Sequence, residues 1–201
     1  MRLHILTAYT QDYENVGNIC YDSILRYGRK LGISHSNTII PADYPRPPSW
    51  FKLEAIKNKL PHFDCVLWVD ADAMIIGDRD VRDMIQPEDL NLSKDVNGAN
   101  CGVMAFWNCV PSFDILAKAE SLYEKFKEHP WYEQAAIQSF ISEAYAFYHP
   151  KHIWNAYPSE VEGGGDVTKE TLICHWPGVP FREKIAWMKF MEVKAAALCH
   201  L

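Results

Sequence analysis

No stretch of this 201-residue chain is apolar for long enough to cross a bilayer, which takes about 20 consecutive residues. The opening "MRLHILTAYT" has only a few apolar residues, interrupted by His4, too few for a signal-peptide core. These absences predict a cytoplasmic protein without a membrane span. Positive charge is not in excess either: a formal net charge of −6 excludes the broad basic surface that binds nucleic acid. Glycine is scarce, and the segment after the first apolar run, "TAYTQDYENVGN", lacks a glycine-rich phosphate loop. The six cysteines (Cys20, Cys65, Cys101, Cys109, Cys174, Cys199) are scattered, mostly within apolar runs where a thiol acts as a small hydrophobe. Their distribution predicts reduced thiols in a reducing compartment. Internal repeats and low-complexity tracts are missing, and the length suits one hydrophobic core, so residues 1–201 are expected to form a single domain.

What is present alternates. "LHILTAY" has strand length and leads through "TQDYEN" to a segment where Ile19, Cys20, Ser23, Ile24, Tyr27 and Leu31 recur at helical spacing. "SNTII" reads as a second strand, and "PADYPRPPSW" as irregular chain because proline removes a donor and fixes φ. A helix is expected from Ser49, a plausible N-cap. "CVLWV" is a continuous apolar run of the kind covered on both faces, with "AMII" as a short companion strand. Residues 77–98 are charged and read as a connection, followed by a "GVMAFW" strand and a helix placing Phe113, Leu116, Ala117, Tyr123 and Phe126 on one face. "WYEQAAIQSFISEAYAF" reads as one further helix. "TLICHW" reads as a strand, "PGVP" as a turn, and a last helix begins near Phe181. Such alternation predicts an α/β fold, Rossmann-like, with a mostly parallel sheet flanked by helices. Ligands bind such sheets beyond the carboxyl ends of the strands. That places Tyr9 and Thr10, Asp70 to Asp72, and His175 to Gly178 where a site is expected.

"DCVLWVDADAMII" ends a buried-looking strand in two aspartates separated by Ala71. Residues i and i+2 of a strand share a face, so Asp70 and Asp72 would present like charges together. A divalent cation resolves the repulsion: carboxylate oxygens suit Mn²⁺ or Mg²⁺, with phosphate oxygens completing the shell. The competing reading has one aspartate capping a turn or pairing with Arg79 or Arg82 and the other solvated.

In order, the helix "SWFKLEAIKNKL", "WVDADAMI", "GVMAFWNC", "EQAAI" and "HWPG" resemble the metal-dependent glycosyltransferases of the GT-A fold. The resemblance is nearest to retaining galactosyl-, mannosyl- and xylosyltransferases of yeast and plants, with the glycogenin-like group more distant. It implies that Asp70 and Asp72, with Ala71 between them, hold Mn²⁺ (or Mg²⁺) on the diphosphate of a nucleotide-sugar, and that His175 is the third metal ligand. The other reading of His175 is a satisfied core histidine. Lys52 is implied to approach the phosphates, where a cation stabilises the leaving group; the alternative is a solvated lysine like its neighbours Lys57 and Lys59. Lys184 is a second candidate for that task, and Gly178 lies in the turn after the histidine. Thr7, Ala8 and Tyr9 match the nucleoside site, with Tyr9 stacking on the base or simply lying at the rim. Gln134, behind Glu133, matches an acidic-plus-Gln pair and is assigned to stabilise positive charge on the sugar through its carbonyl oxygen. Asn100 and Gly102 match the sugar pocket, although glycine also permits close backbone approach.

The resemblance thus implies transfer of a sugar, from a UDP-sugar donor, to a carbohydrate or other hydroxyl acceptor with retention of configuration. Asp72, Lys52 and Gln134 would carry the chemistry. A soluble bacterial or viral enzyme fits these features. The "EGGGD" loop, 162–166, is either a closing flap or an inert loop. A nucleotidyltransferase and a non-catalytic nucleotide-sugar-binding module of the same fold are the alternative readings.

Overall fold

The computed structural model describes residues 1–87 and 90–198; Cys199 lies outside them. The strands are β1 (Leu3–Tyr9), β2 (Ser34–Ile39), β3 (Cys65–Val69), β4 (Ala73–Ile75), β5 (Leu90–Asp95), β6 (Gly98–Trp107), β7 (Ala146–His149) and β8 (Ile173–His175). The helices are α1 (Glu14–Leu31), α2 (Phe51–Lys59), α3 (Val110–Ser121), α4 (Tyr123–Phe126), α5 (Tyr132–Gln138), α6 (Lys151–Trp154) and α7 (Phe181–Leu198). Six strands form the central sheet in the order β2-β1-β3-β6-β5-β7, and β4 and β8 form a separate antiparallel pair. The sheet is mostly parallel: three pairings are parallel, and the two that β6 makes are antiparallel.

Alternation along the strands splits the interior into two cores, one on each sheet face. Leu3, Ile5, Cys65, Leu67 and Val69 point into a core closed by α1, β4, β8 and α7. Leu6, Ala8, Val66, Trp68, Met104 and Phe106 point into the other, closed by α2, α3 and α5. The buried face of α1 carries Val16, Ile19, Cys20, Ser23, Ile24 and Tyr27, and the helix ends where Gly32 takes a φ of 64°. That left-handed cap is a conformation glycine adopts without a Cβ penalty.

Four expectations are corrected. Ser49 does not cap α2: it sits inside a 3₁₀ turn, Pro48–Trp50, that leads into the helix. The expected helix through Phe126 is two, with a break at Leu122. The apolar spacing of 131–147 continues past the true helix, which ends at Gln138; Ala146–His149 instead extends parallel to β5 and finishes the sheet. The charged connection hides β5, whose Asn91 and Ser93 are polar yet fully buried. The five described cysteines are all free thiols, and no described helix is long and apolar enough to cross a membrane.

Candidate functional site

The two aspartates meet at the carboxyl end of β3, but not through strand alternation. The strand stops at Val69, and the chain turns back at once, Ala73 N–H donating to the Asp70 carbonyl at 2.9 Å. β4 then pairs antiparallel to β8 with Ala73 opposite His175. Turn and pairing together bring one ligand atom each from Asp70, Asp72 and His175 within 4.8 Å of one another.

Both carboxylates already have cationic partners, and neither partner is Arg79 or Arg82; Arg82 is bound to Asp80. Lys52 Nζ lies 2.9 Å from Asp70 Oδ1 and 2.8 Å from Glu133 Oε1, and donates to the Cys101 carbonyl at 3.1 Å. Three acceptors for three ammonium hydrogens leave no donor unused. The solvated reading of Lys52 is therefore wrong, since the residue is only 4% exposed. Burial alone would lower its pKa, but Asp70 and Glu133 more than reverse this and hold the ammonium well above the usual lysine range. Burial pushes the Glu133 carboxyl up in spite of Lys52. Asp70 also accepts the Trp68 indole N–H.

Asp72 Oδ2 accepts from Lys184 Nζ at 2.6 Å, and the same ammonium donates to Tyr13 Oη at 2.8 Å. Asp72 Oδ1 faces His175 Nε2 at 3.1 Å. Burial would raise Asp72, yet His175 and Lys184 outweigh it and hold the carboxyl well below its ordinary range. Lys184 comes from α7, more than a hundred residues away, and is buried. Trp176 N–H donates to the Asp72 carbonyl at 3.0 Å, which starts the turn where Gly178 adopts a φ of 73°. Ala71 is buried between the two aspartates.

Of the residues expected around the nucleoside and sugar, Thr7 and Ala8 lie at the end of β1 as expected, whereas Tyr9 and Gln134 are turned to other partners. β1 pairs with β3 only as far as Leu6 and runs on through Thr7 and Ala8 to Tyr9 beside β2 alone. Thr7 and Ala8 are buried. Tyr9 does not offer a stacking face or lie at the rim. Its ring is buried against Gly17, where an added Cβ would come within 2.2 Å of it. Its hydroxyl donates to Asn18 at 2.7 Å and accepts from Asn37 at 2.7 Å. Gln134 turns its carbonyl oxygen to the Cys101 N–H at 3.0 Å, and because that N–H can only donate, the amide orientation is set. Its NH₂ group, not the carbonyl, is left without a partner among the described residues. Asn100 and Gly102 are buried: Gly102 lies directly under the His175 ring, and Asn100 is linked to that ring through Asn155. Asn155, Tyr157, Tyr13 and Asp95 also belong to the site, and nothing in their spacing singles them out. The "EGGGD" loop is held by Gly165 and Asp166 N–H groups on the Tyr157 carbonyl and by the Lys151–Asp166 ion pair.

A divalent cation fits this donor set. Two carboxylates and an imidazole nitrogen converge, and with its carboxylates ionised the cluster of Asp70, Asp72, Glu133, Lys52 and Lys184 keeps one net negative charge.

No protein-family model matches the chain, and neither does any curated protein. The structure is similar to that of a glycosyltransferase involved in the glycosylation of the major capsid of PBCV-1 (TM-score 0.75, 15% identity, 94% of this chain and 100% of that one). It also matches the galactosyltransferase LgtC, solved in complex with donor and acceptor sugar analogs (TM-score 0.62, 15% identity, 96% and 95% of the two chains). A third match is the glycosyltransferase GlyE of Streptococcus pneumoniae TIGR4 (TM-score 0.66, 14% identity, 94% of this chain), of which this chain spans only 59%. The fold is thus the GT-A glycosyltransferase fold. The narrower likeness to yeast and plant enzymes has no support among these structures.

Proposed function

We propose that this chain is a metal-dependent glycosyltransferase that moves a sugar from a nucleoside-diphosphate donor, of the UDP-sugar class, to an acceptor hydroxyl with retention. The observation that carries the reading is the convergence of Asp70, Asp72 and His175 between two buried ammonium groups, at the strand end where this fold takes ligands. Mn²⁺ or Mg²⁺ held there would act as a Lewis acid on the diphosphate and stabilise its departure.

The chain's own groups support each remaining requirement. Lys52 and Lys184 are charged, fixed and water-excluded, the state in which a cation best stabilises charge developing on a leaving group. With a cation bound to the carboxylates, Lys52 and Lys184 would be free to turn their ammonium hydrogens to phosphate oxygens. Gln134 donates through its NH₂ to an oxygen of the bound donor, a revision of the carbonyl role expected from the sequence. Glu133 is a poor nucleophile because its carboxylate is buried and bound to Lys52. Retention, which the family resemblance implies, is assigned to attack from the front face, with the departing phosphate taking the acceptor proton.

The test is release of nucleoside diphosphate from a panel of nucleotide-sugars in the presence of Mn²⁺, with and without simple hydroxyl acceptors. Turnover of one donor is expected, abolished by EDTA and by Asp72→Asn, and reduced about a hundredfold by Gln134→Ala. Folded, metal-loaded protein that turns over no donor would overturn the reading. The anomeric configuration of the first product, read by NMR, decides retention.

A further inference from the structure

We propose that Asn155 is a positioning residue that holds a proton of His175 on Nδ1 and so leaves Nε2 as the nitrogen presented to the aspartates. Two groups around Asn100 have hydrogen-bonding roles that cannot reverse. Gly102 N–H can only donate, and it does so to Asn100 Oδ1 at 2.8 Å. The Asp95 carboxylate accepts from Asn100 Nδ2 at 2.9 Å and from Tyr157 Oη at 2.8 Å. Tyr157, having spent its proton on Asp95, accepts from Asn100 Nδ2 at 2.6 Å. The amide of Asn100 is therefore pinned at both ends.

Asn155 follows from Asn100. Its Nδ2 donates to Asn100 Oδ1 at 2.7 Å, which leaves its oxygen 2.9 Å from His175 Nδ1. An oxygen there requires a proton on Nδ1. Turning Asn155 over would let Nε2–H bond Asp72, a locally satisfactory pair, but would set two amide oxygens 2.7 Å apart in a site where Asn100, Asn155 and His175 are all buried. Distant anchors, not the contact with Asp72, thus decide the tautomer. With the proton held on Nδ1, Nε2 is the ring nitrogen that faces the Asp72 carboxylate oxygen, and it is the one a cation between them would take.

The ring is also held in place. A Cβ on Gly102 would lie 2.3 Å from His175 Cε1, so the imidazole rests directly on the backbone of β6. Tyr157 packs edge-on against its side, centroids 5.8 Å apart. Asn155 is fully buried with both polar atoms used in the relay. The consequence for metal affinity rests on the function proposed above; the assignment of the proton does not.

The experiment uses protein labelled with ¹⁵N-histidine, with His175 assigned by the loss of its signals in His175→Gln. Long-range ¹H–¹⁵N spectra are recorded in EDTA and again with Mg²⁺. A protonated Nδ1 is expected in both, with Nε2 alone moving on Mg²⁺ addition; an unprotonated Nδ1 in the metal-free protein would overturn the proposal. Mn²⁺ titration calorimetry then compares variants. Asn155→Leu is expected to weaken Mn²⁺ about 10- to 100-fold, and Asn155→Asp, which still accepts from Nδ1–H, to restore most of it. Wild-type affinity in Asn155→Leu would also overturn the proposal. Should that variant not fold, the wild-type spectrum still decides. Wild-type protein that binds no Mn²⁺ yet keeps Nδ1 protonated would refute the metal reading and leave the relay standing.

Discussion

Lys52 balances two carboxylates with one ammonium in a place where water cannot help. Removing the charge strands Glu133, which is buried, and Asp70, which is mostly so. Unpairing a buried charge costs about 3–5 kcal/mol, so Lys52→Met should lower the unfolding free energy by that order in urea titrations. Adding Glu133→Gln should recover part of the loss, because the more deeply buried of the two stranded groups is then neutral. A cost below about 1 kcal/mol for Lys52→Met, the value of an exposed pair, would mean that water reaches the triad. Lys184 differs: it uses two of its three hydrogens, on Asp72 and Tyr13, so one remains for a ligand.

Two neutral histidines fasten the two ends of the sheet. His4 of β1 is held between Ser34 and Ser36 of the edge strand β2, at 2.9 and 2.8 Å. His149 of the other edge strand, β7, is 2.9 Å from Asn91 of β5 and stacks on Trp154 at 3.9 Å. Burial lowers each pKa to about 4 from 6.5. A base with a depressed folded pKa binds fewer protons than its unfolded form between those values, so stability falls as pH drops from about 6.5 to 4. At pH 5 each histidine accounts for up to about 2 kcal/mol. Urea midpoints at pH 7.5 and 5 should show this loss, and the double variant His4→Gln, His149→Gln should flatten it. An unchanged slope would assign the acid sensitivity elsewhere.

Elements also differ in how far they can be read from residue order. β1, β3, α1 and β8 follow from their apolar pattern because each buries the face that the pattern marks. β5 does not, since Asn91 and Ser93 are buried polar residues in a charged stretch, and β7 is concealed by alanines and aromatics whose spacing also suits a helix. In the site, Asp70 and Asp72 are legible by residue type and spacing, and His175 only through the family resemblance. Asp95, Asn155 and Tyr157 are not, because their roles exist only once β5, β6 and β8 are assembled. Gly102 was legible as a close approach, but the group that approaches is the imidazole. Gly102→Ala should therefore displace His175 and weaken Mn²⁺ about tenfold or more in calorimetry; unchanged affinity would show that the ring can yield.

At the scale of the molecule, the site spans nearly the whole chain: Tyr13 before α1, Lys52 on α2, the turn after β3, β6, β8 and Lys184 on α7. Asp72 and His175 are more than a hundred residues apart in sequence, so the unfolded chain cannot present them together. A cation that binds only the assembled set must stabilise the fold by RT ln(1 + [M]/Kd), about 2.7 kcal/mol at a hundredfold excess over Kd. For a domain of this size, that corresponds to a rise of about 5–10 °C in Tm. Differential scanning calorimetry of EDTA-treated protein with and without Mn²⁺ should show the rise in wild type. In Asp72→Asn one ligand charge is lost and Lys184 loses its anionic partner, so Tm should start lower and gain little from Mn²⁺. An equal rise in that variant would place the stabilising ion elsewhere on an acidic surface, and would separate general screening of the −6 net charge from occupation of the site.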